Sequence, residues 1–200
     1  MPTILLRDLN PAIVQAWQAA FAGCPLVHAA CANILETPAD AIISPANSFG
    51  FMDGGIDQVY TDFFGWQLQQ RLQEIIQNEH HGELLIGNCV LMETRHPHIP
   101  YLLSCPTMRV PGVVSNTMNA FLAFKAALLK VKQFNATASK PIETVLCPGL
   151  GTLTGHISPE NCALQMRYAY EMVVNKTVPF PNSLGDEATM QEYMSDYTML

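Results

Sequence analysis

The chain has 200 residues, 49% hydrophobic and 14% charged, with a formal net charge of −7. That apolar content suits one buried core with a short appendage and excludes a disordered chain. With 10 Lys and Arg in all, few cations are available to displace counterions, which argues against nucleic acid as a partner; no apolar run is long enough to cross a bilayer, so no membrane partner is expected.

In chain order, Thr3–Leu6 is expected to open a sheet as a short strand. Pro11–Ala22 follows as a helix, with Asn10 as N-cap, Pro11 in the first turn, and Ile13, Val14, Trp17, Ala20 and Phe21 at helical spacing. Asp8 and Asn10 interrupt any signal-peptide pattern, so a cytoplasmic location is expected. Leu26–Cys31 reads as a strand, with Asn33 just past it, and Asp40–Pro45 as another. Gly55–Gln77 has a helical period, broken at Gly65. Asn88–Glu93 and Ile99–Cys105 read as strands joined by a turn at Arg95-His96-Pro97-His98. Ser115–Phe134 is a strong helix, Ile142–Cys147 a strand, and Ser158-Pro159-Glu160 starts a helix continuing to Val174. Beyond Lys176 the composition becomes acidic and rich in methionine. Asp186–Tyr197 reads there as one docked helix or a loosely held tail. The boundary therefore falls between residues 1–176, an α/β domain, and residues 177–200, an appended segment. Strands alternating with helices imply a three-layer α/β/α sandwich with a mixed, largely parallel central sheet.

The six cysteines include no C-x-x-C pair and read as reduced, mostly buried hydrophobes. His96 and His98 with Glu93 have some metal-ligand character, but a solvated turn is the better reading, and no metal or other cofactor is expected.

Two glycine-bearing loops carry the chemistry. Ser44-Pro45-Ala46-Asn47-Ser48 runs on to Asp53-Gly54-Gly55-Ile56-Asp57, and Pro148-Gly149-Leu150-Gly151-Thr152 runs on to Gly155. Each follows an apolar strand and leads towards a helix. Glycine lets backbone amides approach and converge on an anion, and a helix start adds unpaired N–H groups. In a parallel sheet such loops lie beyond the carboxyl ends of the strands, where ligands bind. No Gly-Lys-Ser/Thr follows either loop, which argues against a P-loop NTPase, and Gly149-Leu150-Gly151 lies too late in the chain for a dinucleotide fingerprint.

These residues resemble the macrodomain family of ADP-ribose-binding modules. There a strand ends in an Asn-Ala-Ala-Asn-like run and passes into a Gly-Gly-Val-Asp loop; Ser44-Pro45-Ala46-Asn47 and Gly54-Gly55-Ile56-Asp57 stand in those places. The later glycine loop is matched by Cys147-Pro148 through Gly155, and the element order agrees over roughly residues 25 to 175. The chain departs from the pattern at Ser44, at Pro45, at Asp53 within the glycine run, and at Asn33, where the family often has an Asp for the adenine amino group. A divergent member is implied, near the group that processes ADP-ribose-1″-phosphate.

The resemblance implies that Asn33 accepts from adenine and that Asn47 contacts the distal ribose. It further implies that Gly54, Gly55 and Ile56 offer amides, and that Gly149, Leu150, Gly151, Thr152 and Gly155 wrap the diphosphate. Asp57 or Asp53 would serve as general base for hydrolysis at the distal ribose, removing a 1″-phosphate or releasing ADP-ribose from an ester-linked group. Plainer readings stand beside these: Asn47 and Asp53 as turn residues, Asp57 as a charge stabilised by a helix dipole. The implied partners are ADP-ribose or a related nucleotide and, in turn, ADP-ribosylated protein. The other classes kept open are a non-catalytic ADP-ribose reader and an interaction module with a vestigial cleft. Phe49, Phe51 and Tyr60 read as core or lid packing, and Arg109 as a surface arginine near the cleft rather than an anion partner.

Overall fold

The structure is a computed structural model that describes residues 1–195. Its strands are β1 (Thr3–Asp8), β2 (Val27–Cys31), β3 (Ala41–Ser44), β4 (Val90–His96), β5 (Ile99–Ser104) and β6 (Thr144–Cys147). They form one six-stranded sheet in the order β2-β1-β6-β3-β5-β4, parallel except for β4, which runs antiparallel to β5. Among the described residues, six α-helices flank it: α1 (Pro11–Ala20), α2 (Gly55–Phe64), α3 (Gln67–Glu79), α4 (Asn119–Asn135), α5 (Pro159–Tyr170) and α6 (Leu184–Met194). The expected α/β/α sandwich is therefore present, and no helix among the described residues is long and apolar enough to cross a membrane.

Each face of the sheet has its own core. Trp17 of α1, Phe124 of α4 and Met166 of α5 pack on one side, with Ile4, Leu6, Ile43 and Val145 from the strands. Tyr60 of α2 and Leu68, Leu72 and Ile76 of α3 pack on the other, with Ile42, Leu102 and Leu146. Consecutive strand residues thus serve opposite layers, as the pleat requires, and the middles of the central strands β3 and β6 are apolar on both sides because both faces are covered.

Local chemistry sets the element ends. Asn10 Oδ1 accepts from the Ala12 amide at 3.0 Å and starts α1, with Pro11 already in the helix. Gly65, at φ +92°, splits α2 from α3 and donates its amide to Thr61 O at 2.8 Å. Three expectations on boundaries are corrected. β1 runs to Asp8 rather than Leu6, because Arg7 and Asp8 stay in register with Ala30 and Cys31 of β2. β4 runs to His96, and the connection to β5 shrinks to Pro97-His98. His96 packs at 4.7 Å from the Phe63 ring, so it belongs to an aromatic cluster instead of a solvated turn. Helix α4 begins at Asn119 rather than Ser115, because the Thr117 hydroxyl donates to Val114 O at 2.7 Å and holds that stretch in a turn. Helix α5 passes at Tyr170 into a π-helical turn, Glu171–Asn175.

The segment after Lys176 carries α6, opened by a capping box between Ser183 and Asp186. Its end is held by Gln165 of α5: Gln165 Nε2 donates to Thr117 O and Met194 O at 2.8 Å each, while its Oε1 accepts from the Phe121 amide at 3.1 Å. The expected end at Tyr197 lies outside the described residues. Removing this buried amide orphans three backbone groups at once, so Gln165→Ala is expected to lose about 3 kcal/mol in urea unfolding, with proteolysis of the last helix rising in parallel.

Candidate functional site

Strands β1, β6 and β3 are neighbours and parallel, so their carboxyl ends open on the same edge of the sheet. The loops that follow enclose a cleft of about 560 Å³. β1 contributes Asp8 and, just beyond it, Asn10; the first glycine loop contributes Asn47, Asp53, Gly54, Gly55 and Ile56; the second contributes Gly149, Gly151 and Thr152. Thr107, Met108 and Pro111 form the wall beyond β5. That wall is built by continuing the β3–β5 pairing past the strand ends. The Cys105 amide donates to Ser44 O and the Thr107 amide to Ala46 O, each at 3.0 Å, and Asn47 bridges to Met108.

Backbone polarity distinguishes this cleft. Helix α2 starts at Gly54 with no side-chain cap, and Gly54, Gly55, Ile56 and Asp57 all line the cleft. The orphan amides of its first turn therefore receive no side-chain cap from a Ser or Asp. In the second loop, the amides of Thr152, Leu153 and Thr154 find no acceptor among the described residues. Two stretches with amides unpaired among the described residues consequently line one hollow. No Lys, Arg or His side chain lines it among the described residues; its charged lining groups are Asp8, Asp53 and Asp57.

The glycines of the two loops act differently. A Cβ on Gly54 or Gly55 meets no protein atom within 4 Å, so these keep the cleft mouth open. A Cβ on Gly155 would lie 2.5 Å from Gly151 O, and one on Gly151 would lie 2.9 Å from Ile157 Cδ1. Those two glycines let the second loop fold tightly back on itself. Gly155 and the buried Leu150 do not line the cleft but support it from behind. The Gly149 amide is not free: it donates to Asp8 Oδ2 at 3.2 Å, while Asp8 Oδ1 accepts from the Asn10 amide at 2.9 Å.

Asp57 is 6% exposed at the floor of the cleft, where the Ser44 hydroxyl donates to its Oδ1 at 2.5 Å. Burial raises its carboxyl and the Ser44 hydrogen bond opposes part of that rise, leaving it at about 7. Asn47 is committed to its own loop. Its Nδ2 donates to Phe51 O at 2.7 Å, and its Oδ1 accepts from the Phe49 and Phe51 amides at 3.1 and 3.3 Å. Asp53 is exposed at the mouth. Asn33 is absent from the lining: its Oδ1 accepts from the Leu35 amide at 3.1 Å and caps a short 3₁₀ turn. Arg109 also points elsewhere, clasping Glu83 at 2.7 Å and lying 5.0 Å over the Phe49 ring. Of the three aromatics, Phe51 lines the cleft, whereas Tyr60 is buried and donates to Ile43 O at 3.1 Å. Among the described residues there is no group of three or more His, Cys, Asp or Glu able to hold a metal ion.

Sequence reasoning missed Asp8, Asn10, Thr107 and Met108. A polar residue closing an apolar strand was the available signal for Asp8.

Comparison with known proteins decides the family: residues 43–166 match the Macro domain profile. The chain belongs to the Macro domain family. The matched span of this macrodomain runs from within β3 to within α5, and so includes both glycine loops. An uncharacterized protein of Aquifex aeolicus (strain VF5) is 28% identical over 134 residues, 67% of this chain and 74% of its own. Among solved structures, the macrodomain of Mycobacterium tuberculosis DarG superposes with a TM-score of 0.60 at 17% identity, covering 72% of this chain and 88% of its own. The Thermus aquaticus DarG macrodomain gives 0.58 at 19% identity over 72% and 89% of the two chains. A glycine-to-valine mutant of the Oceanobacillus iheyensis macrodomain, solved with ADPR, gives 0.55 at 17% identity over 67% and 72%. At these identities the likeness is one of fold.

Proposed function

We propose that this macrodomain binds ADP-ribose or an ADP-ribosylated group, with the diphosphate held between the start of α2 and the loop after β6. The supporting observation is that two loops with uncapped amides, after strands β3 and β6 that lie side by side, line one cleft. Peptide dipoles need no lysine to hold a diphosphate, which suits a chain of net charge −7. The family's ligand and the ADPR in the Oceanobacillus structure agree with this reading.

The proposed reaction is hydrolysis at the distal ribose. Asp57 takes a proton from water as general base, the amides of Gly54, Gly55 and Ile56 fix the ribose and phosphates, and Asn47 shapes the loop around them. Asp53, exposed at the mouth, is the alternative base. The lack of a cationic lining side chain favours an ester over a 1″-phosphate, whose two extra charges would meet Asp8 and Asp53 unopposed. ADP-ribose is therefore expected to bind about 10-fold more tightly than its 1″-phosphate, and Asp53→Asn to narrow that gap, as read by competition calorimetry.

A second reading, a non-catalytic reader, draws on one observation: Asp57 is buried and already paired with Ser44. Titration with ADP-ribose and AMP tests the binding shared by both. AMP lacks the second phosphate and the distal sugar, so about 10-fold weaker binding is expected. Absence of saturable heat with millimolar ADP-ribose overturns both readings. Turnover of an ADP-ribosyl ester then separates them.

A further inference from the structure

Away from the cleft floor, Cys105 Sγ lies 3.0 Å from Cys89 Sγ. The topology forces this meeting. Val90 at the start of β4 is paired with Ser104 at the end of β5, and the strands are antiparallel, so the next pair outward is Cys89 opposite Cys105. Facing residues of an antiparallel ladder have Cα atoms roughly 4.5–5.5 Å apart, inside the roughly 4.4–6.8 Å range that a disulfide spans. Cys31, Cys147 and Cys162 turn their sulfurs instead towards Leu9 O, Pro148 O and Met166 Sδ.

The two thiols differ in access. Cys89 is half-buried, whereas Cys105 is buried, and its thiol is held well above the ordinary range, chiefly by burial. An oxidant therefore reaches Cys89 first, and Cys105 is placed behind it as the resolving thiol. Cys105 also leads into the cleft wall: its amide is bonded to Ser44 O, and the chain after it supplies Thr107 and Met108.

We propose that Cys89 and Cys105 form a reversible oxidation site, in which a peroxide closes a disulfide that ties the start of β4 to the strand feeding the cleft wall. In the first step the Cys89 sulfur attacks the peroxide O–O bond, giving a sulfenic acid and one water. In the second, the Cys105 sulfur attacks the Cys89 sulfur, and the departing hydroxide takes up the Cys105 proton as a second water. Two thiols lose two hydrogens, and one hydrogen peroxide becomes two waters. A dithiol reductant reverses the bond by exchange.

The test treats the full chain with one equivalent of hydrogen peroxide, alkylates it after denaturation, and maps the digest without reduction. Expected is a fall from six alkylatable thiols to four, with one peptide pair joining Cys89 to Cys105 in a monomer and the count restored by dithiothreitol. Cys89→Ser is expected to abolish the link while the buried Cys105 stays alkylatable, and Cys31→Ser to leave the loss of two unchanged. An unchanged thiol count, a sulfinic acid on Cys89 without a link, or a bond to any other cysteine overturns the proposal.

Discussion

Gly54→Val is expected to weaken ADP-ribose binding at least ~30-fold, about 2 kcal/mol, while leaving the melting temperature nearly unchanged. Gly54 is extended, at φ −154° and ψ 156°, a conformation that valine adopts freely. A Cβ there touches no protein atom within 4 Å, so the fold has no reason to object. The added isopropyl group enters the mouth of the cleft beside the first amides of α2, where the proposed diphosphate and ribose would sit. Gly155→Ala is the contrasting variant. Its Cβ would lie 2.6 Å from Val114 Cγ2 as well as against Gly151 O, and overpacking there is expected to cost ~1–3 kcal/mol of stability. Calorimetry and thermal melts on both variants separate a blocked cleft from a damaged loop. Unimpaired ADP-ribose binding by Gly54→Val would mean that the ligand does not use the start of α2.

The second strong expectation concerns Asp57 and pH. Its carboxyl sits at about 7 in the folded chain, against ~3.9 in an unfolded one. Between those values the native state holds a proton that the unfolded state has released. The stability linked to this group is therefore complete below about pH 4 and is lost as pH rises through 7. A shift of this size corresponds to roughly 4 kcal/mol, which outweighs the ~0.5–1 kcal/mol that a carboxylate gains in the first turn of a helix. Asp57→Asn keeps the shape, accepts from Ser44, and carries no titrating proton. It is expected to exceed the parent in stability at pH 8 by ~2–4 kcal/mol, with the difference vanishing near pH 4, as read from urea unfolding across the range. Were Asp57 a general base, ester turnover would rise with pH to a plateau above 7, and Asp57→Asn would lose ~10²–10⁴-fold in rate with affinity little changed. A reader would show the stability profile with no turnover in either protein.

Much of the architecture was legible because its signals are local. Asn10-Pro11, Ser158-Pro159 and Gly65 set helix ends through capping and backbone freedom, which a few neighbouring residues decide. The two glycine loops were legible for the same reason. Asp8 was not. Alternation alone does not say whether β1 stops at Leu6 or Asp8; pairing with Ala30 and Cys31 of β2 settles it. At Asn33, a side chain matched to a ligand role by its place in a motif accepts from its own backbone at Leu35, a local bond that the motif did not foretell.

The amino-acid sequence by itself determined the alternation of strands and helices, the covered faces of the central strands, and the glycines that expose amides, because each depends on side-chain period or local backbone freedom. Tertiary structure alone decided that β6 inserts between β1 and β3. That insertion places two loops roughly a hundred residues apart on the rim of one hollow, closes Asp8 onto Gly149, and buries Asp57 beneath it. Strand order comes from how two separate apolar layers pack most completely, a property of the whole chain that no short stretch contains.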